Sequence, residues 1–219
     1  MDVGGIIWLS VKVAFVAVVF SLPLAFAVSW VIARTRLPGR WLLQAAVTLP
    51  LVLPPVVTGY FLLQWFGRNG AAGRFLDSFF GISFAFNWTG AALAAGTMAF
   101  PLLVRPIRLS LESVDRGLEE AARTLGAGRI RTFLTVTLPL ALPGVFAAFA
   151  LGFAKAMGEF GATITFVGNI PGVTQTLPIA IYSLMQTPDG DASARYLIGI
   201  SLVVGIAAIL ISEMIGYWL

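Results

Sequence analysis

Cysteine and histidine are both absent from this chain of 219 residues. Without thiols there is no disulfide and no thiol nucleophile. Without either residue there is no zinc site of the usual kind, so no metal site is expected, and no histidine-centred triad. Charge is scarce too, at 11% of residues against roughly a quarter in ordinary globular domains. Lys12 and Lys155 are the only lysines, and the pattern G-x-x-x-x-G-K-[ST] does not occur, so the chain has no phosphate-binding loop for ATP and no cofactor is expected. The formal net charge of +4 is small and dispersed among apolar runs, which argues against nucleic acid as a partner.

What fills the sequence is hydrocarbon: 58% of residues are hydrophobic. A spanning helix needs about 20 mostly apolar residues, so a chain of this length holds several. The first run extends from Ile6 to Ala33, interrupted only by Lys12, and is too long for a signal-peptide core. The second runs from Trp41 to Phe66, the third from Trp88 to Val104, the fourth from Leu138 to about Phe160 and the fifth from Tyr196 to Ile215. The mixed stretch from Gly161 to Arg195 is broken by prolines and holds a short interfacial helix over Leu177 to Met185. Lipid tolerates no unpaired backbone, so the spans are helices. The expectation is an all-α membrane protein of about five transmembrane helices, a single domain over residues 1–219.

Arginine sets the orientation. With the N-terminus outside, the inner loops hold Arg34, Arg36, Arg40, Arg105, Arg108, Arg116, Arg123, Arg129 and Arg131, and the outer loops only Arg68, Arg74 and Arg195. Five spans then leave the C-terminus inside. Lys12 reads as a headgroup anchor, and Asn87, Trp88 and Tyr196 as interface residues.

The loop of about residues 105–138 is therefore cytoplasmic. Leu111, Val114, Leu118, Ala121, Ala122 and Leu125 recur at helical spacing, with Glu and Arg on the other face. Gly126 and Gly128 are helix stops, a second short helix suits about Arg129 to Thr135, and Pro139 suits the first turn of the next span. A solvated loop helix with scattered ion pairs is the plain reading of such a charge run. The order Glu120-Ala121-Ala122, three residues, Gly126, nine residues, Val136, one residue, Leu138-Pro139 nevertheless resembles the EAA loop of ABC importer permeases, with Val136 where isoleucine is usual. Gly158-Glu159-Phe160-Gly161-Ala162-Thr163 and Leu49-Pro50-Leu51-Val52-Leu53-Pro54-Pro55 resemble the molybdate branch of that family, whose sulfate and tungstate branches share much of both. The resemblance implies a subunit of the bacterial cytoplasmic membrane that pairs with a second copy of itself. A cytoplasmic ATPase dimer drives the pathway, and an external binding protein delivers an oxyanion. It also implies that Glu120, Ala121, Ala122 and Gly126 form the contact with the ATPase.

Two spans carry residues that a plain lipid-facing helix would avoid. Pro50, Pro54 and Pro55 fall in the second run, so that helix is kinked or starts late. Pro54, Pro55 and Thr58 are candidates to line a pathway, beside the alternative that the prolines only mark a helix start. A near copy, Thr137 to Gly144, opens the fourth run, which reads as shared helix-start chemistry in preference to gene duplication. Lys155 and Glu159 stand four residues apart near the outer end of the fourth run and can pair on one face. Either they snorkel together to the headgroups, or Lys155 helps an anion through while Glu159 belongs to a gate.

Two other classes compete. An intramembrane hydrolase needs a base beside its nucleophile. Histidine and G-x-S-x-G are missing, the two lysines have no convincing serine context, and the aspartates lie in loops. A structural membrane subunit differs from a transporter in whether an ATPase co-purifies with the loop intact.

Overall fold

A computed structural model describes residues 2–35 and 38–218, with the side chains of 208–209, 211–213 and 215–218 left aside. Arg36, counted above toward orientation, lies outside the described residues. Among those described, every regular element is helical. The elements are α1 (Val3–Arg34), α2 (Arg40–Val52), α3 (Pro55–Phe66), α4 (Ala71–Phe80), α5 (Trp88–Ser113), α6 (Arg116–Thr124), α7 (Arg129–Thr132), a π-helical turn (Phe133–Thr137), α8 (Leu138–Met157), α9 (Gly161–Val167), α10 (Leu177–Met185) and α11 (Asp191–Trp218).

The centre is a three-helix block of α1, α5 and α8. Helices α1 and α5 run parallel: Lys12 sits beside Trp88, Gly96 meets Ala17 and Ser21, and the Ser29 hydroxyl donates to the Val104 carbonyl at 2.9 Å. Helix α8 runs antiparallel to α5, with Gly144 against Ser110 and Pro106, and Gly152 against Leu103. A Cβ at either glycine would collide with those atoms, so their smallness is what lets the helices approach. The Ser110 hydroxyl adds a bond to the Ala141 carbonyl at 3.2 Å. One end of the block, with Arg34, Arg105, Arg108 and α6, is the basic end; the other is the far end.

Three helical stretches, Val3–Arg34, Trp88–Ser113 and Arg129–Met157, are long and apolar enough to cross a membrane. The second apolar run is not one continuous helix. It is two helices, α2 and α3, bent by 112° at Leu53–Pro54. The cause is local: Leu53 and Pro54 each precede a proline, which disfavours the α conformation, and both are extended with ψ of 139° and 134°. Counted as one crossing, the pair would be a fourth candidate span. Helix α11 covers the fifth run.

Other boundaries moved for equally local reasons. Helix α5 does not stop at Val104 but continues through Arg105 and Arg108 to Ser113, past Pro101 and Pro106. Leu111 and Val114 are therefore buried at the end of α5 and its turn, not part of the loop helix. The fourth run has no break at its start. Residues 129–157 are continuous, with Pro139 and Pro143, which lack amide donors, absorbed next to the π-helical turn. Helix α4 falls in a stretch that sequence patterning leaves polar. Its exposed face carries Phe75, Phe79 and Phe80, and Gly67, Gly70 and Gly73 fold it tightly back on the end of α3. Helix α10 has the expected bounds but is packed: Leu177 and Ala180 join Ile6 and Leu197 in a small core.

Candidate functional site

Two constellations hold the candidate residues, one at the basic end and one within the block. At the basic end, Asp115 caps α6 by accepting a hydrogen bond from the Gly117 amide at 2.8 Å. Gly126 ends the loop helix with φ of 88°, a left-handed conformation that favours glycine. No residue of α6 is fully buried, and both of its faces reach solvent. Arg116, Glu119, Glu120 and Arg123 share one face, where with Arg34, Arg129 and Thr137 they line a cavity of about 390 Å³; of the four, Glu119 is drawn out of solvent and the other three are exposed. Leu118, Ala121, Ala122 and Leu125 form the other face. Leu118 is 50% and Leu125 88% exposed, and Ile130 nearby is 77% exposed.

Glu119, unnoticed in the sequence, is the residue that ties α6 to the rest. Its carboxylate faces the Arg34 guanidinium, with Oε1 3.2 Å from Nη2 and Oε2 accepting from Nη1 at 3.4 Å. Oε1 also accepts from the Thr137 hydroxyl at 2.6 Å. Both charged side chains are nearly buried, at 9% and 12% exposure. Arg34 also stands over the Trp30 ring, and Trp30 packs edge-on against Phe133 of the π-helical turn. The motif residue Glu120, by contrast, is exposed. No spacing rule points to Arg34, 85 residues away.

Within the block, α8 ends at Met157 and α9 starts at Gly161, leaving a three-residue break at Gly158-Glu159-Phe160. Glu159 closes it. One oxygen accepts from Lys155 Nζ at 2.7 Å, the other from the Ala162 amide at 3.1 Å. The Glu159 side chain is 2% exposed and that of Lys155 30%. Expectation put this pair near the outer end of the fourth run. The helix contacts put it deeper: Gly152 is level with Leu103, Val167 reaches Gly90 in the first turn of α5, and the break lies between. Helix α9 completes the passage to the far end.

The proline segment comes to the same place. Gly161 abuts Pro55, and Gly59 lies against the Ala162 backbone and Thr165, so α3 packs on α9 through backbone contacts. Thr58, in the same turn of α3, is buried with its hydroxyl unpartnered. Pro54 and Pro55 are exposed at the bend. The five intramembrane candidates from two distant runs are thus brought around one pair of broken helices. The α6 candidates stay apart from them, joined by the 20 residues of α8, about 30 Å of helix. The Lys12 ammonium lies 3.6 Å from the Trp88 ring centroid, so it has an aromatic partner within the fold.

Residues 17–218 match the family of binding-protein-dependent transport system inner membrane components. The chain belongs to that family. It is 55% identical to the molybdenum transport system permease protein ModB of Escherichia coli (strain K12), over 95% of this chain and 91% of that one. To the ModB protein of Haemophilus influenzae it is 52% identical over the same shares. The sulfate transport system permease protein CysT of Escherichia coli (strain K12) is 37% identical over 87% of this chain and 69% of its own. Among solved structures, the inward-facing MetNI methionine ABC transporter superposes with a TM-score of 0.73 at 18% identity, covering 96% and 92%. A bacterial alginate ABC transporter gives 0.74 at 16%, covering 98% and 79%. These structures share the fold. The resemblance to ABC importer permeases rests on nearly the whole chain and not only on its loop. The protein is an inner-membrane permease subunit, and its part in transport is not catalytic.

Proposed function

We propose that this chain is the membrane-spanning subunit of an ATP-driven importer of molybdate, working as a pair of identical copies with a cytoplasmic ATPase dimer and an external binding protein. The observation that carries the coupling role is the orientation of α6. A helix at the basic end that is held to the bundle through Glu119 and leaves Leu118, Ala121 and Leu125 exposed is shaped for another protein. Ala121 and Ala122 are small enough for close approach, and Glu120 is free to meet a basic residue of the ATPase. Gly126 provides the turn that sets the angle of the loop.

In this reading the polypeptide is one domain of five crossings: α1, the bent α2–α3 pair, α5, α8 continued by α9, and α11. The N-terminus is outside and the C-terminus inside, which puts α6 in the cytoplasm and α4 at the outer surface. Pro54, Pro55 and Thr58 on one side and Lys155 with Glu159 on the other border the pathway at the broken helices. Irregular backbone at membrane depth is tolerated where it lines a cavity or is buried in protein, which suits both breaks. Lys155, partly exposed while its partner is buried, presents positive charge toward a dianion without holding it in a closed cage. The binding protein supplies selectivity.

Molybdate as cargo follows from the similarity to ModB, which is stronger than that to CysT. The test is reconstitution of the chain with its ATPase and binding protein in proteoliposomes, followed by ATP-driven uptake of molybdate, tungstate and sulfate in parallel. Uptake of molybdate well above sulfate is expected. Sulfate uptake equal to or above molybdate would reassign the cargo, and no uptake of any of them would remove the oxyanion reading.

A further inference from the structure

We infer that Glu119, held between Arg34 and Thr137, is the positioning residue through which movement of α6 is converted into movement of the transmembrane block. The inference rests on the coupling role proposed for α6 and concerns what happens on its inner face. Helix α6 packs mainly on α7 and the π-helical turn, and none of its residues, apolar ones included, is fully buried. Its hold on the membrane block therefore depends on polar contacts. Glu119 supplies them at one point: to Arg34, the last residue of α1, and to Thr137, the last residue before α8. A carboxylate with two partners on different elements, nearly out of solvent, is a rigid and directional joint.

Both partners stand at helix ends that lead into the block. Arg34 continues through 32 residues of α1, and Thr137 through α8 to the break at Glu159. The bonds Ser29–Val104 and Ser110–Ala141 fasten α1 and α8 to α5, so displacement at the joint is passed on. The joint also spans the π-helical turn, Phe133–Thr137, whose loosened hydrogen bonding gives α8 room to shift against α7. Phe133, wedged edge-on between Phe26 and Trp30, limits that shift to the neighbourhood of α1. The arrangement divides the labour of two adjacent glutamates. Glu120 serves the contact with the ATPase, and Glu119 the transmission beyond it.

The division gives a readout that loss of docking would not produce. In the reconstituted transporter, with binding protein present and molybdate as the probe, ATP hydrolysis and uptake are measured on the same vesicles. For Glu119→Gln and for the isosteric Thr137→Val, the ATPase should co-purify at wild-type yield. Uptake per ATP hydrolysed should fall about ten-fold, the size of one lost charge-assisted hydrogen bond. Thr137→Ser, which keeps the hydroxyl, should retain the wild-type ratio. The exchange Arg34→Glu with Glu119→Arg should recover uptake over either change alone. An unchanged ratio in Thr137→Val and Glu119→Gln, or an exchange no better than its worse single change, would overturn the inference. Loss of the ATPase from Glu119→Gln would also overturn it, because Glu119 would then be part of the docking surface. The docking role of α6 is judged separately, by ATPase association of variants on its outer face.

Discussion

Glu159 accepts from Lys155 Nζ at 2.7 Å with one oxygen and from the Ala162 amide at 3.1 Å with the other, so one buried carboxylate both neutralises a lysine and closes a helix break. The two tasks separate by mutation. Lys155→Met leaves the carboxylate buried without its counter-charge, which costs about 3 kcal/mol. Glu159→Gln keeps an amide oxygen for Ala162 and sheds the charge. The double variant Lys155→Met with Glu159→Gln should therefore be more thermostable in detergent than Lys155→Met, and should transport better. If the double variant is as inactive as Lys155→Met while its stability is restored, Lys155 acts on the anion itself.

The close approach of α5 and α8 makes a second prediction. Added methyl groups at Gly144 would meet Ser110 and the Pro106 carbonyl, and at Gly152 the Leu103 side chain. At Gly144 one obstruction is a backbone carbonyl, at Gly152 all are side-chain atoms, and overpacking costs about 1–3 kcal/mol. Gly144→Ala should cost more than Gly152→Ala, since Leu103 can change rotamer whereas a carbonyl and a Cβ cannot move alone. Thermal unfolding of the detergent-purified variants orders them. Equal, wild-type midpoints would mean that the helices are less tightly apposed.

Some of this architecture is legible in the residues and some is not. The apolar runs are long relative to their interruptions, so the existence of the helices reads directly. The proline cluster at 50–55 reads as a break, but its 112° size does not, because it depends on where α3 finds a partner, and that partner is α9, a hundred residues away. The Glu120 to Pro139 spacing resembles the EAA loop, yet helical periodicity joins Leu111 and Val114 to the loop helix, since a turn at Val114–Asp115 leaves the period nearly in phase. Helix α4 is hidden because its Phe residues are interspersed with polar ones, Arg74 before Phe75 and Asp77 and Ser78 before Phe79, and bounded by glycines, which resembles a loop. The Arg34–Glu119–Thr137 joint is the least visible. Contacts across 85 and 18 residues leave no local pattern, and two adjacent glutamates look interchangeable until one is seen to face inward.

Topology is testable with single cysteines, since the chain has none of its own. Suitable sites are exposed and tolerate a side chain. Gly73 is unsuitable because a Cβ there would strike the Gly67 carbonyl, whereas Ser78 on α4 and Ala192 in α11 are open. Ser78→Cys and Ala192→Cys should react with an impermeant thiol reagent added to intact cells. Arg116→Cys should react only after the membrane is opened. Labelling at position 116 in sealed cells would reverse the orientation and remove α6 from the cytoplasm.

The outer face of α6 carries the prediction with most at stake. Ala122 is half-buried on the face it shares with Leu118 and Leu125, and Gly126 holds φ of 88° with no atom within 4 Å of where a Cβ would stand. The two positions should therefore fail for different reasons. Ala122→Trp adds bulk where a partner must come close, on a helix that packs on α7 and the π-helical turn and has no fully buried residue, so the block should stay intact. Gly126→Val meets no steric obstacle, but a β-branched residue in the left-handed region costs about 1–2 kcal/mol and turns the loop elsewhere. Asn tolerates that region better, so Gly126→Asn should be the milder change. Disrupting an interface anchor costs about 2–4 kcal/mol, roughly 30- to 1000-fold in affinity. Ala122→Trp and Gly126→Val should insert at normal levels, lose the ATPase on purification and lose uptake with it, while Gly126→Asn keeps a measurable fraction of both. Wild-type ATPase yield and uptake in Ala122→Trp would mean that the exposed apolar face of α6 is not where the ATPase binds.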